Sequence, residues 1–229
     1  MAFRGADDTR PRFDTPVKAE DLDDFYDQMD VCGEWARYRE LGAKLVPGIG
    51  NSTDPLAMVV GEAPGAQEEL KREPFIGPSG HVLSQLMALA GLYARREVSV
   101  PPDVEAGEAE IQHLPNVFLT NTIKYLPRPH RTPTSADELW AARWLREEWR
   151  LCGKPRLIIA VGSVAGRTLG GWGTLPNRGD VYPLRGKTFI CHQYHPAYGL
   201  RNPSFQPAME RHWEEMGKRI EELQQEGLL

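Results

Sequence analysis

Four short, mostly apolar segments stand out along the chain, and each ends at a glycine or a polar residue. They span residues 57–60, 116–121, 157–161 and 188–193. Unbroken runs of this length are typical of strands that are buried on both faces of a parallel sheet. The pattern therefore predicts four parallel strands.

Longer segments between these runs carry apolar residues at helical spacing. They cover about residues 19–41, 82–90, 136–150 and 206–225. A further helix is expected to begin after the small residues that follow the third strand. Strands that alternate with helices indicate an α/β fold, and we expect one three-layer domain with a four-stranded parallel sheet between helices.

The domain is expected to cover residues 19–229. Residues 1–18 are polar and contain two prolines, so they predict a flexible N-terminal arm. The segment around residues 95–114 is rich in acids and prolines and predicts a surface insertion.

Polar side chains follow the predicted strands. Glu62 comes directly after the first strand, Asn121 ends the second, and His195 follows the fourth. Phe75 lies in a glycine-rich stretch, where its ring could stack on a flat molecule. Because ligands of open α/β sheets bind beyond the carboxyl ends of the strands, we expect these four side chains to meet at one edge.

This set of side chains suits chemistry on a nucleic-acid base. Phe75 can stack on the base, and the Asn121 amide offers both a donor and an acceptor to a pyrimidine edge. His195 can donate a hydrogen bond to a carbonyl oxygen that gains charge as a glycosidic bond breaks. Glu62 can orient a water molecule or stabilise a sugar cation.

Composition places few limits on this interpretation. The 229 residues are 41% hydrophobic and 26% charged, as in an ordinary globular protein, and the net charge is −5. Acidic residues gather near both ends, whereas basic residues lie among the candidate site residues, so a local patch could still bind phosphates. No apolar run is long enough to span a membrane, and the start lacks the apolar core of a signal peptide. We expect a cytoplasmic monomer.

The chain has three cysteines, Cys32, Cys152 and Cys191. Their odd number and wide spacing argue against a disulfide framework. No Cys-x-x-Cys pair occurs, so no metal ligand set is visible in the sequence.

Several short motifs occur in an order that is similar to one known family. They are residues 61–65, 74–80, 120–124, 131–133, 161–163, 178–179 and 195–198. Through them the chain resembles the uracil-DNA glycosylase superfamily, especially its family-four branch, which holds an iron–sulfur cluster. The resemblance implies a DNA glycosylase that flips uracil or a related modified pyrimidine out of DNA and hydrolyses its glycosidic bond, as in base-excision repair.

The resemblance also implies roles for individual residues. Glu62 and His195 would be catalytic, and Leu200 would be the wedge that presses into DNA. The base would be surrounded by Gly61, Ala63, Phe75 and Asn121. Contacts to DNA would come from Lys124, His130, Arg131, Gly162, Ser163, Tyr198, Leu200 and Arg201.

One departure from the family concerns the cluster. Family-four enzymes hold it with four cysteines, but only Cys32 falls near one of those positions. Trp35 and Tyr125 stand near the second and third positions, and residues 142–143 (Ala-Arg) near the fourth. We therefore expect no metal and no cofactor, with aromatic packing in place of the cluster.

Other functions remain open. His130 precedes a basic-Thr-Pro stretch, as in a superfamily branch that traps uracil-DNA covalently, and an imidazole can attack a sugar cation. A second alternative is a DNA-binding protein on the same scaffold with little or no catalysis. A nucleotide-binding enzyme that uses Gly162 and Ser163 as a phosphate loop is poorly supported, because neither glycine-rich phosphate motif occurs.

Overall fold

The computed structural model describes residues 18–92, 116–128, 133–170, 177–184 and 186–229. The predicted N-terminal arm, except Lys18, and the predicted insertion around 95–114 lie outside the described residues. So do His130 and Arg131.

Six strands of the described chain form one mixed sheet. They are β1 (Ile49–Gly50), β2 (Ala57–Gly61), β3 (Val117–Asn121), β4 (Leu157–Val161), β5 (Val181–Pro183) and β6 (Phe189–Gln193). The order is β1-β3-β2-β4-β6-β5, with the four central strands parallel and the two outer strands antiparallel to their neighbours. The predicted parallel sheet is confirmed. The edge strands escaped prediction because two or three residues carry no readable hydrophobic pattern.

Helices cover both faces of the sheet. They are α1 (Leu22–Val31), α2 (Ala36–Glu40), α3 (Ala66–Lys71), α4 (Pro78–Leu89), α5 (Ser135–Leu151), α6 (Ser163–Gly170), α7 (Pro196–Arg201) and α8 (Gln206–Gln225). The helix predicted over residues 19–41 is divided, because Cys32 has an extended backbone and ends α1. Within the described ranges, no helix is both long and apolar enough to cross a membrane.

The central strands are buried on both faces, which explains their unbroken apolar sequences. Val59 packs in a cluster with Trp213 of α8, on the same side as α4. Its neighbour Met58 points to the opposite face and packs in a cluster with Leu145 of α5. Helices on both sides of the sheet thus produce the predicted three layers.

A buried ion pair joins α5 to the segment that follows β3. The Lys124 Nζ atom lies 2.7 Å from Glu148 Oε2, and the two side chains are 2% and 0% exposed. The same carboxylate accepts hydrogen bonds from the Tyr26 hydroxyl at 2.6 Å and the Thr120 hydroxyl at 3.0 Å. The ammonium group and the two hydroxyl donors together offset the cost of removing the Glu148 carboxylate from water.

We expect Glu148→Ala to lower the free energy of unfolding by about 3–5 kcal/mol, because it leaves the Lys124 ammonium buried without its counter-charge. Urea unfolding at pH 7 measures the change. Glu222→Ala is the matched control, since it removes the carboxylate of an exposed ion pair with Arg219 and should cost at most about 1 kcal/mol. Equal losses in the two variants would contradict the assigned role of the buried pair.

Candidate active site

A cleft of about 580 Å³ opens at the carboxyl edge of the sheet. Strand register places the ends of β2 and β3 side by side, with Gly61 paired to Asn121, and likewise the ends of β4 and β6. The predicted site residues that line the cleft are Glu62, Ala63, Gly162, Ser163, His195, Tyr198 and Arg201. The structure therefore brings together residues that are more than 130 positions apart in sequence.

Phe75 and Asn121 meet next to this cleft, at Gly61. A Cβ atom on Gly61 would lie 2.5 Å from Asn121 Oδ1 and 2.7 Å from Phe75 Cζ. Only a glycine leaves room for both side chains at this point. Gly61 directly precedes Glu62 in the chain, so the ring and the amide meet at the residue before the one that lines the cleft.

Glu62 lies half-buried in the turn that follows β2. Burial raises the pKa of its carboxyl group, whereas the nearby Arg167 and Arg201 oppose the rise. Within the described part of the chain, no hydrogen-bond donor is directed at the Glu62 carboxylate. This carboxylate is therefore available to bind a water molecule or a ligand in the cleft.

His195 caps the N-terminus of α7 with its ring. The Ala197 backbone N–H donates to His195 Nδ1 at 3.2 Å. Because a backbone N–H can only donate, Nδ1 has no proton, and the neutral ring carries its proton on Nε2. Burial, together with the positive charge of Arg201, lowers the pKa of His195 to about 4. The site thus contains a neutral imidazole, and no acceptor among the described residues takes the proton of its Nε2–H group.

Gly162 supports His195 from the neighbouring strand end. Its φ of +92° favours glycine, and a Cβ atom there would stand 3.2 Å from the His195 Cβ. The Gly162 carbonyl lies 3.1 Å from Nε2 of His192, a fully buried residue of β6. Sequence reasoning missed His192, although its place in a buried strand three residues before His195 was a possible signal.

Helix α7 carries three of the predicted DNA contacts. Residues 196–201 form a short helix that begins with proline, and this helix was not among the predicted ones. Tyr198 is 38% exposed and Leu200 46% exposed. Leu200 does not line the cleft, but its exposure on the same helix is compatible with a wedge.

Sequence reasoning also missed part of the cleft wall. Tyr194 stacks on Tyr198 with ring centroids 5.6 Å apart. The Arg178 guanidinium lies 4.3 Å from the centre of the Tyr194 ring. The Arg178-Gly179 motif was a signal for this arginine. The remaining unpredicted lining residues are Gln193 and Ala197.

Lys124 does not have the position that was predicted for it. Its side chain is 2% exposed, and its ammonium group pairs with Glu148 of α5. A phosphate contact requires an exposed cation, so the structure argues against Lys124 as a DNA-binding residue. Its partner lies 24 residues away in sequence, and the local motif gave no sign of this partner.

The cysteines do not fit an iron–sulfur cluster, which requires four ligands in one place. Cys32 packs beside the side chains of α1 and α2. Cys152 lies in the core on the side of the sheet covered by α5, and Cys191 lies in the core on the side covered by α8. Three separate positions cannot hold a common metal cluster. The described residues also contain no group of three or more His, Cys, Asp and Glu side chains that could hold a metal ion.

Aromatic side chains fill the region around Cys32. Trp35, Tyr38 and Tyr125 are each 1% exposed or less. The Tyr38 and Tyr125 rings are stacked with centroids 6.0 Å apart, and Trp35 lies 5.9 Å from each of them. Beside them, Glu34 accepts a hydrogen bond from the Trp144 indole at 2.9 Å and pairs with Arg143. Apolar packing and an ion pair thus occupy the positions at which the resemblance places the cluster ligands.

Comparison with known proteins identifies relatives over most of the chain. Residues 47–217 match the family model of the uracil DNA glycosylase superfamily. A protein of Archaeoglobus fulgidus named type-4 uracil-DNA glycosylase is 27% identical over 87% of this chain and 93% of the relative. Proteins of the same name from Pyrobaculum aerophilum and Thermotoga maritima are 30% and 28% identical, over 73% and 70% of this chain and 78% and 73% of the relatives.

We expect the His195 ring to remain neutral throughout the range in which a free histidine, with a pKa of about 6.5, would become protonated. Its pKa is lowered to about 4 by burial and by Arg201. Nitrogen-15 NMR of labelled histidine rings between pH 4 and 8 measures this, and should also show an unprotonated Nδ1. Arg201→Gln removes the positive charge and should raise the pKa of His195. Protonation of His195 near pH 6.5 in the unmodified protein would contradict the assignment.

Proposed function

Since the chain belongs to the uracil DNA glycosylase superfamily, and is thus a DNA glycosylase, we propose that it releases uracil from DNA by hydrolysing the N-glycosidic bond. The observation that carries this proposal is the shared cleft of Glu62 and His195. A carboxylate and a neutral N–H donor that line one space can act on the two products of bond cleavage, the sugar cation and the base anion.

In the proposed reaction, the target nucleotide rotates out of the DNA into the cleft. The ring of Phe75 stacks on the base, and the Asn121 amide reads its edge. The convergence of both side chains on Gly61 supports this pairing of roles, since it places a flat apolar surface next to a donor and an acceptor. Ala63 lines the cleft beside them.

His195 assists departure of the base. As the bond between base and sugar breaks, its electron pair moves onto the base, and negative charge collects on a carbonyl oxygen. The Nε2–H group of a neutral imidazole can donate to this oxygen without giving up its proton, which stabilises the leaving anion. The unprotonated Nδ1, fixed by the Ala197 N–H, supports this role.

Glu62 assists capture of the sugar. Its carboxylate binds a water molecule, accepts a proton as the water attacks the anomeric carbon, and offsets the positive charge of the sugar. Burial raises the pKa of Glu62, which strengthens it as a base. The released uracil anion takes a proton from solvent, and Glu62 gives the proton that it accepted back to solvent.

The cleft rim is proposed to bind the DNA backbone. Arg178 and Arg201 supply positive charge, and Ser163 offers its backbone N–H group at the start of α6. The Gly162 N–H already donates to the Gln193 carbonyl at 2.9 Å, so Gly162 is proposed to contribute a surface without a side chain that lets the DNA backbone come close. Leu200 and Tyr198, both exposed on α7, are proposed to replace the flipped nucleotide in the base stack.

The reaction is proposed to need no iron–sulfur cluster. The separation of the three cysteines and the packing of Trp35, Tyr38 and Tyr125 support this view. All proposed steps are assigned to side chains and water.

The test is an oligonucleotide that contains one uracil, incubated with excess protein and analysed on a denaturing gel with and without alkali. Strand cleavage that depends on alkali is expected. Glu62→Gln should lower the cleavage rate by about 10²–10⁴-fold and His195→Ala by about 10²–10³-fold, with DNA affinity nearly unchanged. Glu221→Gln and His81→Ala, which alter exposed residues away from the cleft, are the matched controls.

Other results of the same assay would identify the alternatives. Tight DNA binding without cleavage would indicate a non-catalytic DNA-binding protein. A heat-stable protein–DNA band that disappears in His130→Ala would indicate covalent capture through His130.

We also expect purified protein to contain less than one iron atom per molecule by elemental analysis and to lack a broad visible absorption band. Cys32→Ser should keep the wild-type cleavage rate, because the thiol is not a metal ligand in this proposal. A brown protein that loses its colour and activity in Cys32→Ser would overturn it.

A further inference from the structure

Glu68 holds together the loop that carries Phe75. Its carboxylate accepts a hydrogen bond from the Phe75 backbone N–H at 2.8 Å and another from the Gly65 N–H. The N–H groups of Gly65, Phe75 and Gly77 all favour its charged form, whereas burial opposes it and raises the pKa of Glu68 overall. One side chain thus joins the start of α3 to the end of the loop that follows it.

The backbone at Phe75 has an unusual shape. Its φ is +61°, in the left-handed region that a residue with a bulky side chain rarely adopts. Such a conformation persists only where the surrounding structure enforces it. Gly80 supplies part of that enforcement, because a Cβ atom there would stand 1.5 Å from the Phe75 carbonyl oxygen. On the other side of the residue, the hydrogen bond from the Phe75 N–H to Glu68 also holds the backbone in this conformation.

This backbone geometry determines where the ring lies. The Phe75 side chain is 6% exposed, and its edge reaches the space above Gly61 beside the Asn121 amide. An ordinary extended or helical φ at Phe75 would direct the ring elsewhere. The position of the ring relative to the base-reading amide therefore depends on the loop.

Resting on the proposed function, we propose that Glu68 is a positioning residue that holds the Phe75 ring where it stacks on the flipped base. Glu68 does not line the cleft and takes no part in bond cleavage. It acts through the backbone of the loop. The two oxygens of its carboxylate accept hydrogen bonds from the backbone N–H groups of Gly65 and Phe75, which are ten residues apart.

Removal of the carboxylate has a specific consequence. Glu68→Ala leaves the Phe75 and Gly65 N–H groups without their acceptor, so the loop loses the bonds that favour the left-handed backbone. The ring is then free to leave its place next to Gly61. We expect Glu68→Ala to weaken productive binding of the base. This effect should occur only in a protein that still carries the Phe75 ring.

A double-mutant cycle tests this dependence. The variants are Glu68→Ala, Phe75→Ala and the double variant, assayed for kcat/KM on a uracil-containing oligonucleotide. Each single variant should lose about 10- to 100-fold, the range expected for loss of one base–aromatic stack. In the Phe75→Ala background, Glu68→Ala should cost no more than about twofold, because coupled residues are non-additive.

Two further variants and one further measurement complete the design. Leu70→Ala, on the exposed side of the same helix, is the matched control and should keep wild-type kcat/KM. Glu68→Gln keeps one acceptor oxygen and should lie between wild type and Glu68→Ala, which keeps the test usable if the alanine variant does not fold. Amide hydrogen exchange at Phe75 and Gly65 should become faster in Glu68→Ala.

The outcomes separate this inference from the proposed function. Suppose that the wild type is active and that the losses in kcat/KM of the two single variants multiply in the double variant. This result overturns the positioning role of Glu68 and does not affect the proposed glycosylase function. A wild type that releases no uracil overturns the proposed function and, with it, the role of Glu68 in placing the ring on the flipped base. Unchanged exchange of the two amides in Glu68→Ala overturns the loop clamp whether or not the protein is active.

Discussion

Glycine at position 61 leaves a space that two side chains of the site share. The Asn121 amide oxygen and the edge of the Phe75 ring lie 2.5 Å and 2.7 Å from the point where a Cβ atom would stand. Parallel pairing of β2 with β3 brings Asn121 to this point, and the clamped loop brings Phe75 to it from the other side. One close contact therefore locates both the ring and the amide, at the residue that directly precedes Glu62.

A positive charge at the rim of the cleft influences the protonation of the two titratable groups inside it. Burial raises the pKa of Glu62 and lowers that of His195, and the exposed Arg201 acts to lower both. A single positive charge therefore favours an ionised carboxylate and a neutral imidazole at the same time. These are the protonation states that a base and a hydrogen-bond donor require in the proposed reaction. In the proposed reaction, one arginine would thus couple phosphate binding at the rim to the chemistry in the interior.

The sequence predicted the central sheet well, because buried parallel strands have a distinctive apolar pattern. It did not predict β1 and β5, whose two and three residues are too few for a pattern, or α7, whose six residues begin with proline. Glu62 and His195 were correctly predicted to line one cleft, because each follows the end of a predicted strand. Lys124 was misplaced because its partner Glu148 comes from a distant helix. Contacts between remote segments have no local signature.

The packing of Trp35, Tyr38 and Tyr125 has a consequence for how the protein is made. On the proposal that the protein holds no cluster, the lobe formed by α1, α2 and these rings is complete as soon as the polypeptide folds, and it needs no assembly proteins to deliver a prosthetic group. Its maturation would then not draw on the iron supply of a cell. Oxidants that dismantle metal–sulfur centres would find no such target in this lobe, so its integrity would depend on translation and folding alone.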